Sequence, residues 1–393
     1  KSGKLRAYLL TITGCCAAVM AVYQLLPPPE ESIVSPPNLL QAVDARDVRG
    51  IERLIGEVAD DPARTQELIF LRGARNLFLN HPTVALQEFS KIQPVGPLRI
   101  PVLTLTGESL YRVGQLRDAE RCLQMVVLEA PETANGHRWL AAVYYDLGTM
   151  DRALHHLLNV SKRVPDDPRP HRMRGVIFHD FGDYERAASA FQQAADLTRD
   201  QVALTDILVS LAAAQTARNQ FQLASETLSR CVPNGVVLSA QANCAWDLGL
   251  PDEADELLKR AERIGLLPGS GLRLKARMLL ESGEAEAAIA VLEPLLTANH
   301  SDDEAEYLLA MAHQQLGNDT LHARHLEHSE ELKDLKTELT RLSQQAMKQP
   351  NNAQVRQEMA VVCEKLGLEK MAQVWRAAAV ACQAANSGTG TTP

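Results

Sequence analysis

The chain has 393 residues, room for two or three ordinary domains, and 46% of them are hydrophobic but only 4% aromatic. That shortage argues against a large β-sandwich or barrel, while Ala, Leu, Glu, Gln and Arg, the residues of helices, dominate. There are 40 basic and 49 acidic residues, a net charge of −9. Lys1, Lys4 and Arg6 precede residue 27 with no acid among them, so 37 basic and 49 acidic residues remain, a balance of −12. A body this acidic is a poor general binder of phosphate backbones, so nucleic acid is not expected as a partner.

Residues 1–26 form the first element. Past Arg6 there is no charge until Glu30. An apolar run of about 20 residues is long enough to cross a hydrocarbon core about 30 Å thick. Three preceding cations set the short amino end on the cytoplasmic side, with the body exported. This reading is a single-pass anchor with the body in the cell envelope, periplasmic if the source is bacterial. Two alternatives involve processing. Val19-Met20-Ala21 fits signal cleavage after Ala21, leaving a soluble exported protein. Ile12-Thr13-Gly14-Cys15 resembles a lipobox, but the residues after it stay apolar. Residues 27–37, with Pro27, Pro28, Pro29, Pro36 and Pro37, read as a stiff linker.

The body repeats with a period of 34. Gly73 and Gly107 are 34 apart, as are Gly114, Gly148 and Gly182 in turn. Ala85, Ala119, Ala153 and Ala187 keep the step, and so do Phe89, Leu123, Leu157 and Phe191. Pro131 and Pro165 close two of the units. Each type has a physical reason. Glycine permits the left-handed turn that stops a first helix, and alanine lies where two helices cross. The bulky residue four later fills the seam, and proline cannot continue the second helix.

These positions resemble the tetratricopeptide repeat family, best in the segment from Ala134 with Leu140, Ala141, Tyr144, Gly148, Ala153, Leu157 and Pro165. Trp139 falls near the family's tryptophan position, where His137 stands. The resemblance implies an all-α fold, a right-handed α-α superhelical solenoid of helix-turn-helix repeats, here preceded by one amino-terminal transmembrane helix. Capping helices are expected at 38–65 and four regular units at 66–201. Two irregular units follow at 202–268, where the alanine step drifts to 37 and then 30. Residues 269–350 hold two more units, 351–386 a terminal helical pair, and 387–393 a disordered tail. Gly317 and Gly367 are 50 apart, an insertion of 16 over the repeat. Within it Leu332, Leu335, Leu339 and Leu342 recur at helical spacing, predicting one extended helix that ends at Pro350. Its stripe packs on the last repeat or, through residues 330–348, joins a second copy.

In this family the first helix of each pair lines a concave wall that holds a peptide or helix of another protein. Carried over, the wall positions are Tyr111, Asn135, Arg138, Tyr145, Arg169, Arg172 and His179, then Asn243, Trp246, Arg273 and Arg277. Arginine and tyrosine together suit an acidic or carboxylate-bearing segment. The function expected is therefore a non-catalytic scaffold or adaptor, with an assembly-factor or chaperone-like role and no cofactor. The alternative is a metal-dependent or catalytic role around His313–His328, where His322, His325 and His328 recur every three residues. Cys231 and Cys244 offer one disulfide if the body is exported; no CxxC pair occurs, which removes zinc ribbons.

Overall fold

A computed structural model describes residues 37–93, 95–349 and 352–388. The expected anchor at 1–26 and nearly all of the linker lie outside the described residues. Among the described residues there are 20 α-helices and no strand. None of these helices is long and apolar enough to cross a membrane.

In chain order they are α1 (Pro37–Asp44), α2 (Val48–Val58), α3 (Thr65–Phe78), α4 (Pro82–Phe89), α5 (Arg99–Arg112), α6 (Leu116–Glu129), α7 (Ala134–Asp146) and α8 (Met150–Arg163). Then come α9 (Pro168–Asp180), α10 (Tyr184–Leu197), α11 (Gln201–Thr216), α12 (Phe221–Ser229), α13 (Gly235–Asp247) and α14 (Pro251–Ile264). The last are α15 (Gly269–Glu281), α16 (Ala285–Ala298), α17 (Asp303–Gln315), α18 (Asp319–Lys348), α19 (Ala353–Lys365) and α20 (Glu369–Gly388). Pro37 opens α1, where its missing N–H costs nothing, so it belongs to the helix and not to the linker. At the other end α20 runs on to Gly388, into the segment expected as tail.

The chain divides into two compact units. The first holds the described residues to Leu147 together with His155–Val164; the second holds Gly148–Leu154 and everything from Pro165.

In the first unit the period has a steric origin. A Cβ at Gly107 would lie 2.5 Å from Leu123 Cγ, and one at Gly73 would lie 2.4 Å from the Phe89 ring. The glycines let a bulky second-helix side chain reach the first-helix backbone. Leu123 and Phe89 are accordingly sealed from solvent, with Phe70, Leu71, Ala74 and Leu77 around the latter. The second unit repeats the arrangement at Gly175 beneath Phe191, where the separation would be 2.6 Å.

The turns obey the same economy of shape. Gly114 takes φ +81°, and Gln115 N–H closes the helix end on Leu110 O at 2.9 Å. One period earlier the turn residue is Asn80 at φ 64°, the side chain that best tolerates left-handed backbone. In the second unit Asn219, φ 58°, does the same between α11 and α12. There α11 has 16 residues and α12 only 9, and that exchange of length accounts for the drift of the alanine step.

Helix α18 is 30 residues long. Leu332 and Leu342 are buried, and Leu335 and Leu339 are half-buried, all within the second unit. The leucine stripe thus packs largely against its own chain, with Leu335 and Leu339 keeping partial exposure. Ser329 Oγ donates to Asp303 O at 2.8 Å and Lys336 pairs with Asp303, fixing α18 on α17.

Candidate partner-binding surfaces

In the first unit the first-helix positions carry a linked set of rings and charges. Tyr111 and Trp139 pack with ring centroids 5.4 Å apart. Burial, and then a hydrogen bond to Asp146, push the Tyr111 hydroxyl well above the ordinary phenol range. Burial likewise raises Asp146, while the Tyr111 bond opposes it. Arg112 lies over the Trp139 ring at 5.9 Å. Arg138 donates to Asn135, which orients its guanidinium. Arg138 and Tyr145 are half-buried, and both have further partners in the protein.

One residue in this set escaped the sequence reading. Glu108 is 0% exposed, and its carboxylate is shared between Arg112 Nη2 at 2.7 Å and Arg46 Nη2 at 2.7 Å. Arg46 also covers the Phe78 ring at 4.9 Å. Glu108 lies three residues before Tyr111 on α5, one turn along the same helix face, so the spacing of the wall positions leads to it. Arg46 stands 62 residues away in a turn outside the repeats, and no periodicity leads to it.

In the second unit Arg169 is exposed but answered. It forks Asp167 with Nε–Oδ1 2.8 Å and Nη2–Oδ2 2.9 Å, and that hydrogen bond raises its pKa. Asp167 also caps α9, accepting from Arg169 N–H at 3.0 Å. Arg172 is exposed, and among the described residues its side chain has no hydrogen bond or ion pair. His179 meets the Tyr184 ring edge-on at 5.3 Å.

Further along, Asn243 Nδ2 donates to Ser239 O at 2.8 Å, and Trp246 packs on the cluster around Leu257 and Leu258. Arg273 binds Asp302 at 2.6 Å and Glu304 at 2.8 Å, and Arg277 also pairs with Glu304. These two arginines tie α15 to α17; their charge is already neutralised, so they are poor candidates for gripping an acidic partner. The expected wall of Arg138, Arg169 and Arg172 has its first member in one unit and the other two in the second.

The histidine run of α18 has a different use. Glu306, buried on α17, receives Nδ1 of His325 at 2.6 Å and of His328 at 2.9 Å. His322 Nδ1 donates to Ala310 O at 2.9 Å, and His313 stacks on His325 at 5.4 Å. Among the described residues no three His, Cys, Asp or Glu side chains are placed to hold one metal ion. The spacing that made a metal site conceivable instead sets three rings against a neighbouring helix. Cys231 and Cys244 are both free and buried, with Sγ 4.0 Å from Thr205 O and 3.9 Å from Thr216 Oγ1 respectively, so the disulfide weighed for them is not formed.

A helical-repeat protein with partly exposed polar first-helix faces is the class this architecture defines. Residues 104–168 and 151–202 match the tetratricopeptide repeat family model. The chain thus carries tetratricopeptide repeats, shown by sequence across 104–202. No curated protein matches the chain. Among solved structures, the apo form of RapI shares 13% identity at a TM-score of 0.59, covering 75% of this chain and 95% of that one. The apo quorum sensor NprR from B. thuringiensis is similar at 15% identity and a TM-score of 0.52, covering 75% and 96%. A tetratricopeptide repeat protein from Parabacteroides merdae matches at 14% identity and 0.47, covering 63% and 99%. At these identities the likeness establishes the fold alone.

Proposed function

We propose that this protein is a non-catalytic interaction scaffold that holds an acidic segment of another protein on its first-helix faces and is tethered to a membrane by its amino-terminal segment. The observation that carries the reading is Arg172, an exposed, unpaired guanidinium at one of the expected wall positions, one helical turn from Arg169. Most other arginines of that face are held by carboxylates, so Arg172 is the one with capacity to spare. The tetratricopeptide repeats support the scaffold role, because such repeats commonly bind protein segments. The apolar run before residue 27 supports the tether. Assembly or chaperone-like work in the cell envelope follows from the two together.

The test is mild crosslinking of the full chain in native membranes, comparing wild type with Arg172→Glu. A partner recovered by wild type and lost from the variant, with acidic residues at the crosslink, supports the reading. Equal recovery by both forms overturns it. Extraction of membranes with alkaline carbonate tests the tether, which requires the protein to stay in the pellet.

A further inference from the structure

A second opening lies at the carboxyl end of α9, wholly within the second unit. It is a cavity of about 660 Å³ between the turn joining α9 to α10 and the last turns of α18. That wall exists only because α18 overruns the repeat. A Cβ on Gly182 would come 3.3 Å from Thr340 Cγ2 and 3.8 Å from Gln344 Nε2, so the two elements are in contact.

The floor is aromatic. Phe178 and Phe181 are buried, and Tyr184 presents a half-buried ring beside them. Arg186 is laid over Phe178 at 4.7 Å and pinned by Asp183, with Nε–Oδ2 2.6 Å. Its charge is answered and its position fixed before any ligand arrives. Two other cations on the lining are not answered. Arg218 and Lys348 are exposed, and among the described residues neither side chain has a hydrogen bond or ion pair. Glu185 supplies one opposing carboxylate, which leaves the lining with a single surplus positive charge.

We propose that this cavity is a binding site for a small aromatic carboxylate, its ring against Tyr184 and the small exposed part of Phe181 and its carboxylate between Arg218 and Lys348. The volume is that of sites for small organic ligands, which combine an apolar lining with a few convergent polar groups. Rings stack on rings, and one anionic group matches one surplus charge. A polyacidic strand would meet Glu185 with too little positive charge. The site shares no lining residue with the first-helix scaffold reading and meets it only where Tyr184 touches His179.

The experiment is calorimetric titration of the full chain with naphthoate and with the uncharged naphthamide. Naphthoate is expected to bind saturably and on the order of tenfold more tightly than the amide, the effect of one charge-assisted contact. Arg218→Gln with Lys348→Gln should bring naphthoate down to the amide's affinity. Both positions are exposed, so the fold, checked by circular dichroism, is expected to be unchanged. Tyr184→Ala should weaken both ligands alike, and Arg172→Glu should weaken neither, which separates this site from the scaffold surface. Equal affinity for acid and amide overturns the proposal, as does a double variant that binds naphthoate like wild type. Tighter binding of an amidated Phe-Glu dipeptide than of naphthoate assigns the cavity to peptide and overturns the small-molecule assignment.

Discussion

Changing glycine to alanine should have opposite effects at two positions of the first unit. Gly107 lies in α5 beneath Leu123, and an added Cβ would sit 2.5 Å from Leu123 Cγ and 2.6 Å from Cδ2. Leu123 is 0% exposed and has nowhere to retreat. Overpacking of this kind costs about 1–3 kcal/mol, and contacts this short belong in the upper half of that range. Alanine recovers about 1 kcal/mol of helix propensity, so Gly107→Ala should lose about 1–2 kcal/mol. At Gly56 in α2 a Cβ meets nothing within 4 Å. Gly56→Ala should therefore gain about 1 kcal/mol from propensity alone. Leu123→Ala by itself removes a sealed side chain and should cost about 2–5 kcal/mol. Combined with Gly107→Ala it should cost less than the sum by at least about 1 kcal/mol, because the new methyl occupies part of the void. Urea titrations followed by far-ultraviolet circular dichroism measure all four variants. If Gly107→Ala is as stable as Gly56→Ala, the steric account of the repeat is wrong.

Other outcomes follow from the same geometry. Glu108→Ala should destabilise by about 2–3 kcal/mol in urea. That is below the range for a fully buried pair, because Arg46 and Arg112 keep 45% and 28% side-chain exposure and can rehydrate. Asn219→Ala should cost about 1–2 kcal/mol for placing alanine in left-handed backbone, whereas Asn219→Gly should not destabilise. His137 donates Nε2–H to Pro131 O at 2.9 Å and faces His156 Nδ1 at 2.8 Å, and burial lowers its pKa. Its neutral form is the folded one, so its contribution is complete above the unfolded value of about 6.5 and is lost as pH falls through the depressed folded value. Stability measured across that interval should fall with acidification, and His137→Asn should flatten the slope; an unchanged slope would show that the ring's protonation is not coupled to folding.

The repeat was legible because each register position answers to a local cause that recurs. A crossing that admits only a small residue, and a turn that admits only glycine or asparagine, leave marks at fixed intervals. The drift near Ala224 was visible as an irregularity, but its cause was not, since Asn219 stands where the pattern led one to seek glycine. Charge pairing was the least legible. Arg273 and Arg277 look like free wall residues until Asp302 and Glu304 are placed opposite them, 29 and 27 residues on. Arg46 and Glu108 are farther apart still. The leucines of α18 announced an apolar face by their spacing, yet spacing says nothing of what covers it. The histidines at steps of three were a true regularity whose purpose was set by another helix, through the Glu306 carboxylate for two of them and the Ala310 carbonyl for His322.

The carboxylate shared by Arg46 and Arg112 also has a mechanical side. Arg46 belongs to the turn just after α1, so a pull on the amino end loads its bond to Glu108 early. That bond bypasses the α3–α4 pair along the chain and delivers the load to α5, which the Glu108–Arg112 bond braces within its own last turns. Tension entering at Pro37 therefore meets two restraints, the packing of Leu39 and Val43 in the first core and a crosslink to the second repeat.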